Sequence, residues 1–341
     1  MKIVKCDESY RLRWNEFVDT LPASFYHRFE WRDISRKCFG HETCYLAAIE
    51  EDEVKGIFPI VRVKSLLFGN IACSLPFLNY GGPCASNQAA EEALLCEAER
   101  VADEWNLDYL EIRSMKNLGP RFPSAEHKVS MTVELDPDPD VLWTRFKSDH
   151  RQSIRRGYKS GLTARIGGPE LLDDFYAVLS ESWRDLGTPI YRKAYLAEVI
   201  STFPDAVRLC VVYAGTDPAA ASFDGSQNGT VEGMWLGSRA KYRTHQAGYV
   251  LYWENIKNAC ERGFKRFHLG RSTVQSGGET FKKKWNATST QLYWHYMLRT
   301  RKEIPQLNVQ NPKYKLAVEA WRKLPVPVAQ MVGPFFARSI P

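Results

Sequence analysis

A short predicted strand in the last third of the chain ends in polar residues that could do chemistry. Alternating polar and apolar residues over 266–269 predict the strand, with His268 on its polar face. Gly270 lets the backbone leave the sheet, and Arg271 and Ser272 follow it. In open sheets, ligands bind at the carboxyl ends of strands. The pattern therefore indicates a binding edge, although a helix–strand pair with a charged exit turn has the same pattern.

A run of three lysines follows this strand. Lys282, Lys283 and Lys284 lie between Phe281 and Trp285. Consecutive residues cannot share one helical face, so at most two of the lysines point inward. The two aromatic residues are four apart, a spacing that packs the motif onto a core or stacks it on a ligand. The run is therefore either an exposed basic cluster or a motif with one lysine at a site.

Four cations recur at every fourth position in the middle of the chain. Lys147, Arg151, Arg155 and Lys159 form one helical stripe, which follows the polar break 136–140. Like charges at this spacing repel one another, so a compensating group is expected. The stripe predicts an anion site for phosphate or an RNA backbone. The alternative is a solvated face that is paired to acids elsewhere in the fold.

Several catalytic classes have no motif in this sequence. A nucleophile elbow, Gly-x-Ser-x-Gly, is absent, and so is the phosphate-binding Gly-x-x-x-x-Gly-Lys-Ser/Thr loop. The seven histidines are isolated and the eight cysteines are scattered singly, so we expect neither a metal site nor a disulfide framework. The net charge of +6 permits an anionic substrate without requiring one.

The order of predicted elements occurs twice. A hairpin at 45–63, a strand at 71–77, a helix at 91–105 and a strand at 109–112 that exits at Arg113 make the first copy. The second copy has the same order: a hairpin at 209–223, then 231–236, 248–262, 266–269 and Arg271. This repetition predicts two copies of one α/β domain, and 341 residues are enough for both. No apolar run is long enough to span a bilayer and the N-terminus lacks a signal segment, so we expect a cytoplasmic protein.

Several motifs together resemble one family. They are residues 22–31 (Pro-Ala-Ser-Phe-Tyr-His-Arg-Phe-Glu-Trp), Tyr80-Gly-Gly-Pro83, Ile154-Arg-Arg156, Gly161-Leu162, Leu251-Tyr-Trp253, Gly270-Arg-Ser272, Phe281-Lys-Lys-Lys-Trp285, and a tail from Asn311 to Val328. The chain resembles the FemAB-related proteins, in particular the branch associated with exosortase (PEP-CTERM) exopolysaccharide systems. The resemblance covers essentially the whole chain. It implies a tandem GNAT (N-acetyltransferase) fold and an amide-forming transferase. FemAB enzymes pass an amino acid from aminoacyl-tRNA to an amine on a peptidoglycan precursor, and relatives pass acyl groups from CoA.

The resemblance also implies roles for particular residues. Lys282 matches the family lysine that neutralises phosphate or transition-state charge. Tyr191, Arg192 and Tyr195 resemble the group that holds the precursor's phosphate. The further substrate-binding candidates at the opening of the central strand and on the flanking motifs are Trp235, Ser238, Ser272, Trp285, Arg151, Arg155 and Lys159. Family members commonly have an aspartate where this chain has His268, which could accept a proton or anchor Arg271.

The identity of the donor depends on one loop. The CoA signature is Arg/Gln-x-x-Gly-x-Gly/Ala, and the segment Arg243–Gly248 has Gln246 in place of its first glycine. A glycine there lets the backbone approach phosphate. The substitution favours aminoacyl-tRNA over acyl-CoA as the co-substrate, and no tightly bound cofactor or metal is expected.

We expect an N-terminal GNAT-like domain at 1–135, a C-terminal one at 136–300 and a proline-rich tail at 301–341. The tail packs across the first domain or lies on a membrane surface near a lipid-linked acceptor. Three functions remain open. They are an aminoacyl-tRNA-dependent transferase, a CoA-dependent N-acyltransferase acting on an exopolysaccharide amine, and a weakened GNAT tandem that serves as a binding module.

Overall fold

The computed structural model describes residues 1–21, 23–65, 68–305 and 312–340. Two motif residues named above, Pro22 and Asn311, lie outside the described residues. The described chain forms two compact units. The first comprises Met1–Val129 and Thr290–Pro305 with the last residues from Arg338, and the second comprises Ser130–Ser289 with the C-terminal residues as far as Ala337.

Helices and strands are mixed along the whole chain. The elements of the first 134 residues are β1 (Lys2–Lys5), α1 (Arg11–Thr20), α2 (Trp31–Phe39), β2 (Glu42–Glu50), β3 (Glu53–Ser65), β4 (Gly69–Cys73), β5 (Cys84–Ala85), α3 (Gln88–Glu104), β6 (Tyr109–Ser114) and β7 (Ser124–Glu134). The elements that follow are α4 (Pro139–Arg145), α5 (Ser148–Lys159), β8 (Leu162–Gly167), α6 (Leu172–Leu186), α7 (Lys193–Thr202), β9 (Arg208–Ala214), β10 (Asp217–Gln227), β11 (Thr230–Ser238), α8 (Ala247–Glu261), β12 (Arg266–Thr273), α9 (Gly277–Lys283), β13 (Thr288–Leu298), α10 (Pro312–Arg322) and α11 (Val326–Ala337).

The first unit contains a mixed sheet with the strand order β1-β2-β3-β4-β6-β13. Its neighbours are antiparallel except for β4 and β6, which run parallel where Ile71–Cys73 faces Tyr109–Glu111. Parallel neighbours need a crossover connection, and α3 lies within it.

The second unit repeats this arrangement with the strand order β12-β11-β10-β9-β8. Strands β9, β10 and β11 are antiparallel, and β11 runs parallel to β12 with α8 between them in the chain. The order predicted from the sequence, a hairpin followed by a strand, a helix and a strand, is therefore confirmed in both units, and the structure shows that the last two strands are parallel.

Helix α8 is held against its sheet by one apolar face. Ala247, Val250 and Leu251 are buried with residues of β9 and β10, and their spacing places them on one side of the helix. Helix α5 packs against α8 at Gly157, where a Cβ would lie only 2.4 Å from Cγ2 of Val250. This close approach requires glycine, and it fixes α5 beside the start of α8.

Two C-terminal segments differ from the sequence prediction. The strand β13, which the sequence analysis grouped with 136–300, pairs along Tyr293–Leu298 with β6 and so lies mainly in the first unit. An alternating sequence predicts that a segment is a strand and must pair with another strand, but it does not predict which strand that is. The helices α10 and α11 pack on α6 of the second unit, and Gly333 of α11 meets Ile190 in the segment between α6 and α7. The tail therefore packs on the body, but on the second unit rather than on the first domain as expected.

Candidate active site

The parallel strands β11 and β12 separate soon after they begin. Thr230–Glu232 pair with Arg266–His268, and the pairing ends there. Gly270 lies just beyond this point with a left-handed φ of +76°, and a Cβ on it would lie 3.0 Å from the carbonyl oxygen of Gly233. Only glycine fits this conformation and this approach. The two strands thus separate just after Gly233 and Gly270. The carboxyl end of the strand pair is therefore open, and ligands bind at this end in sheets of this kind.

A bulge in β11 widens this opening. Phe223 of β10 faces Trp235, whereas the next residue, Asp224, faces Gly233. Met234 is therefore an extra residue on β11. Bulges bend a strand and redirect its side chains, and this bulge lies at the position where the pairing of β11 with β12 stops.

Lys282 places its amine at this separation point. Its Nζ donates hydrogen bonds to the carbonyl oxygens of Gly270 (2.9 Å) and Arg271 (3.0 Å). The side chain is buried, whereas Lys283 and Lys284 are exposed. Burial and the nearby charge of Arg271 lower the pKa of Lys282 to about 7. A lysine of this kind exchanges its proton near neutral pH.

The two carbonyl contacts determine what Lys282 can do. An ammonium group has three N–H donors, and two of them are occupied. When Lys282 is protonated, the third N–H is available to a developing oxyanion. When it is neutral, that third position carries a lone pair that can take a proton from an amine. The same geometry therefore suits both steps of acyl transfer to an amine.

Arg271 and Ser272 lie beside this amine on β12. The strand continues to Thr273 rather than leaving the sheet at Gly270, as the sequence analysis expected. The physical reason is that Gly270 makes a local left-handed kink within the strand instead of ending it. Arg271 is half-buried and contributes its carbonyl and its charge to the surroundings of Lys282, and Ser272 is buried. The structure thus brings Lys282 and Arg271 together.

His268 pairs with an acid on the neighbouring strand. Its Nδ1 lies 2.9 Å from Oε2 of Glu232, and both side chains are almost fully buried. The sequence analysis considered His268 alone as a proton acceptor or an anchor for Arg271. Its partner Glu232 was not predicted from the sequence, because it lies 36 residues earlier on β11 and a local pattern does not show contacts between strands.

The predicted phosphate-binding tyrosines form an aromatic cluster. Tyr191, Tyr195 and Trp235 are buried, and their ring centroids are 5.3 to 6.0 Å apart. Tyr176 also donates its hydroxyl to the carbonyl of Tyr191. The structure thus brings together three of the predicted residues, but it places most of their surface against one another.

Arg192 and Ser238, predicted with these aromatic residues, lie on the more exposed parts of the unit. Arg192 is exposed before α7, with its guanidinium 5.8 Å from the ring of Phe335. Ser238 is half-buried at the end of β11 and donates its backbone N–H to Oγ of Ser182. These positions leave Arg192 accessible to solvent.

Trp285 is enclosed rather than exposed to a ligand. None of its surface is accessible, and it lies among Phe146, His150, Tyr249 and Tyr252, with the Tyr252 ring stacked on it at 5.6 Å. The prediction that it binds substrate does not fit this position, because none of its surface is accessible to a ligand. Trp285 instead anchors α9, and with it Lys282, against α8.

The cationic stripe of α5 is largely explained by contacts within the unit. Arg151 donates Nη1 to the carbonyl oxygens of Trp143 (3.4 Å), Thr144 (3.1 Å) and Phe146 (2.8 Å), which are the last carbonyls of α4. A cation at a helix C-terminus satisfies carbonyls that have no partner in the helix. These contacts give the Arg151 charge a partner within the unit, and the anion-binding role of Arg151 stays a prediction.

The next two cations of the stripe lie on the surface. Arg155 stacks over the ring of Trp143 at 5.4 Å, and Lys159 is exposed near the end of α5. A cation–π contact compensates part of the repulsion that the sequence pattern implied. Lys159 remains accessible to an anion.

Sequence reasoning missed a buried carboxyl group next to the separation point. Asp224 accepts a hydrogen bond from the hydroxyl of Ser222 (3.0 Å), which in turn accepts one from the amide of Asn255 (2.7 Å). Burial raises the pKa of Asp224 to about 7. Asp224 lines a cavity of about 10 Å³ with Gly233, and the other lining residues are Ser222, Leu236, Leu251, Tyr252, Asn255, Phe267 and Leu269. An acid that interrupts a run of small apolar strand residues was the available signal.

The loop before α8 keeps the shape expected of a phosphate-binding turn. Gln246 adopts the left-handed conformation (φ +64°) that a glycine would take, and it directly precedes the helix. Its side chain Nε2 donates to the carbonyl of Thr244 at 3.4 Å. The backbone conformation therefore persists, while the Gln246 side chain occupies space that a glycine would leave to a ligand.

Comparisons with known proteins agree with this architecture. Residues 144–283 match the family model of the acetyltransferase (GNAT) domain. The structure is similar to that of FemX, with a TM-score of 0.65, 13% sequence identity and coverage of 93% of this chain and 100% of that chain. It is also similar to L-PGS from Bacillus licheniformis (TM-score 0.55, 13% identity, 94% and 98% coverage) and to a tandem GNAT protein from the clavulanic acid biosynthesis pathway (0.53, 10%, 86% and 97%).

The chain has a tandem GNAT fold. The resemblance to FemAB-related proteins that the motifs carried is confirmed at the level of this fold. The family match covers Arg271 and Lys282, and it supports acyl-group transfer as the general activity of the tandem GNAT chain. A search of curated proteins gives no significant match.

Two further features concern the described residues only. None of their helices combines the length and the apolar character that crossing a bilayer requires. No group of three or more histidine, cysteine, aspartate or glutamate side chains among them is arranged to hold a metal ion.

Proposed function

We propose that this tandem GNAT protein is an amide-forming transferase. In this proposal it moves an aminoacyl group from aminoacyl-tRNA to an amine on a cell-envelope or exopolysaccharide precursor. One observation carries the proposal: the buried amine of Lys282, held by two carbonyl oxygens where β11 and β12 separate. The match to the acetyltransferase (GNAT) domain and the similarity to FemX support it.

The chemistry needs little more than this arrangement. An activated ester already has a good leaving group, so the protein must supply proximity, a proton acceptor for the attacking amine and charge stabilisation. Neutral Lys282 would take a proton from the amine as its nitrogen bonds to the ester carbonyl carbon, and protonated Lys282 would stabilise the resulting oxyanion. When the ester C–O bond breaks, the same proton would pass to the departing ribose oxygen of the tRNA. We propose that Arg271 holds Lys282 in its readily deprotonated state through charge repulsion and meets the phosphate of a substrate. The pair of His268 and Glu232 would fix the start of β12.

The acceptor would enter beside the aromatic cluster of Tyr191, Tyr195 and Trp235. We propose that the exposed Arg192 contacts its phosphate and that the accessible cation Lys159 contributes to binding of the tRNA backbone. A phosphate-bearing or lipid-linked precursor would supply the anion that these cations recognise. The exosortase-associated exopolysaccharide setting, which the motifs suggest, belongs to this proposal as well.

A second donor has a specific observation in its favour. Gln246 keeps the left-handed backbone of the glycine that it replaces, so the loop before α8 retains the turn that an acyl-CoA pyrophosphate would need. The alternative function is therefore acyl-CoA-dependent N-acylation of an exopolysaccharide amine. The side chain of Gln246 counts against acyl-CoA as the donor, because it stands where the CoA signature has a glycine.

We further propose that the protein works on the cytoplasmic face of a membrane, because aminoacyl-tRNA is a cytoplasmic donor. Helix α11 supports the membrane contact. Its face toward α6 is buried, and its other face exposes Met331, Phe335 and Phe336 at helical spacing. The guanidinium of Arg192 lies 5.8 Å from the ring of Phe335, exposed cations at 322–323 precede the helix, and the sequence has no acid after Glu319. An apolar stripe with flanking cations is typical of helices that lie on anionic bilayers.

The experiment separates the two donors. The purified protein is incubated with radiolabelled aminoacyl-tRNA or with labelled acyl-CoA, each with a panel of amine acceptors that includes peptidoglycan precursors and amino sugars. We expect transfer from aminoacyl-tRNA that Lys282→Met abolishes and the matched control Lys283→Met preserves. Transfer from acyl-CoA alone would replace the first function by the second. Transfer from neither donor to any acceptor would contradict both.

A further inference from the structure

The cavity lined by Asp224 is polar at one end, where Ser222, Asp224 and Asn255 lie, and apolar elsewhere. Six of its lining residues, Gly233, Leu236, Leu251, Tyr252, Phe267 and Leu269, contribute mostly carbon surface. Its volume of about 10 Å³ is close to the smallest that holds one water molecule. A primary ammonium group has nearly the same size as water. The cavity therefore has room for one small polar group of this size.

The carboxyl group in this cavity is arranged as an acceptor. Asn255 donates to Ser222 and Ser222 donates to Asp224, so both hydrogen bonds of the relay run toward the carboxylate. Asp224 is 93% buried, and no ion pair to it exists among the described residues. Buried carboxylates are normally paired with a cation or lose their charge. Here the burial raises the pKa of Asp224 to about 7, so the arrival of a cation would ionise it.

The cavity adjoins the proposed reaction centre through Gly233. This residue lines the cavity and faces Asp224 across the β10–β11 pair. Its carbonyl oxygen lies 3.0 Å from the position of a Cβ on Gly270, and Nζ of Lys282 lies 3.7 Å from that same position. Gly233 therefore contributes both to the wall of the cavity and to the surroundings of the Lys282 amine.

We propose that Asp224 binds the primary ammonium group of a substrate in this cavity. The inference rests on the proposed function for the identity of that substrate. The ammonium belongs either to the aminoacyl group of the donor or to the amine of the acceptor, and both present the same chemistry. If it belongs to the donor, the cavity selects aminoacyl over simple acyl groups, because an acetyl group has no cation to offer.

The test uses two matched pairs of small probes and needs no transfer reaction. L-Alaninamide and L-lactamide differ only in the ammonium and hydroxyl groups, and they represent the donor. Glucosamine and N-acetylglucosamine represent the acceptor. We expect the wild-type protein to bind the ammonium member of one pair at least tenfold more tightly, as measured by titration calorimetry, and the pair that shows the preference identifies the source.

Two variants keep the test independent of folding. Asp224→Asn retains an acceptor for Ser222 but removes the negative charge, and it should abolish the preference. Ser222→Ala retains the carboxylate and should weaken the preference without abolishing it. The preference should also weaken at acidic pH as Asp224 becomes protonated. Tyr252 and Cys210 also face Asp224, but their pKa values lie above the ordinary values for tyrosine and cysteine because of burial and the Asp224 charge, so they do not titrate in that range.

The possible results separate this inference from the proposed function. No preference within either pair, or a preference that Asp224→Asn preserves, overturns the ammonium subsite even if the protein transfers acyl groups. A preference that Asp224→Asn abolishes supports the subsite even if no transfer is detected.

Discussion

Replacing Lys282 by methionine should stabilise the second unit at neutral pH. Methionine matches the length of the lysine stem and carries no charge, so it removes the cost of burying the amine. It also removes the two hydrogen bonds to Gly270 and Arg271, which offsets part of the gain. The pH dependence of the difference between the two proteins isolates the contribution of the amine.

The magnitude follows from the lowered pKa. In the unfolded chain the amine of Lys282 has its ordinary pKa of 10.5, and in the folded protein burial lowers it to about 7. Between these values the unfolded chain binds a proton that the folded protein lacks, so the stability of the wild type rises with pH. At about 1.4 kcal/mol per pH unit, the free energy of unfolding of the wild type rises by about 5 kcal/mol over the pH range between the two pKa values. From pH 7 to 9, the advantage of Lys282→Met should shrink by about 2 kcal/mol, because the amine in the folded protein is still half protonated at pH 7.

The assay is urea unfolding at several pH values, with pulsed hydrogen exchange on peptides from β10 and β11 to follow the second unit alone. The matched control is Lys284→Met, since Lys284 is exposed and its amine donates to the hydroxyl of Tyr249 rather than to a buried acid. Its difference from the wild type should stay within about 0.5 kcal/mol at every pH. A stability difference for Lys282→Met that does not change between pH 7 and 9 would refute the account of a buried, readily deprotonated amine.

Two further predictions concern other parts of the second unit. Replacing Arg151 by glutamine should lower the free energy of unfolding by about 1 to 2 kcal/mol, because three carbonyls at the end of α4 lose their donor. The control is Lys159→Gln. If the two substitutions lower the free energy of unfolding equally, Arg151 does not cap α4. The double change Phe335→Ser and Phe336→Ser should abolish flotation with vesicles that contain anionic lipid, because it removes the aromatic part of the exposed α11 face. Leu12→Ser, which alters a side chain that is 69% exposed on α1, should have no effect on flotation, and an equal loss in that control would exclude the assigned surface.

The repeated fold was predictable because its signals are local. The apolar spacing of residues such as Val250 and Leu251 decides that α8 is a helix, and alternation decides the strands on either side. The order of elements then repeats along the chain without any knowledge of contacts. The placement of β13 was not predictable, because a strand pattern does not specify its partner, and this strand returns to β6 from nearly 180 residues away.

The candidate site was predictable in part. Gly270 marked a change of backbone direction after the strand, and helical geometry limited the inward lysines to at most two. The resemblance to the family motif then singled out Lys282, so Lys282 and Arg271 were both named. The role of Arg151 could not be found in this way, because its carbonyl partners lie in a different helix. Asp224 was missed because burial, which gives a carboxyl group its unusual chemistry, is a property of the packed fold.

The most direct test of the account is the single-turnover rate of transfer from labelled aminoacyl-tRNA as a function of pH. For the wild type we predict a rate that changes with one inflection near pH 7, where Lys282 gains or loses its proton. Lys282→Met should be at least about 100-fold slower and lack that inflection, while Lys283→Met should match the wild type. A Lys282→Met protein that transfers at the wild-type rate with the same pH profile would contradict the claim that this amine acts at the reaction centre.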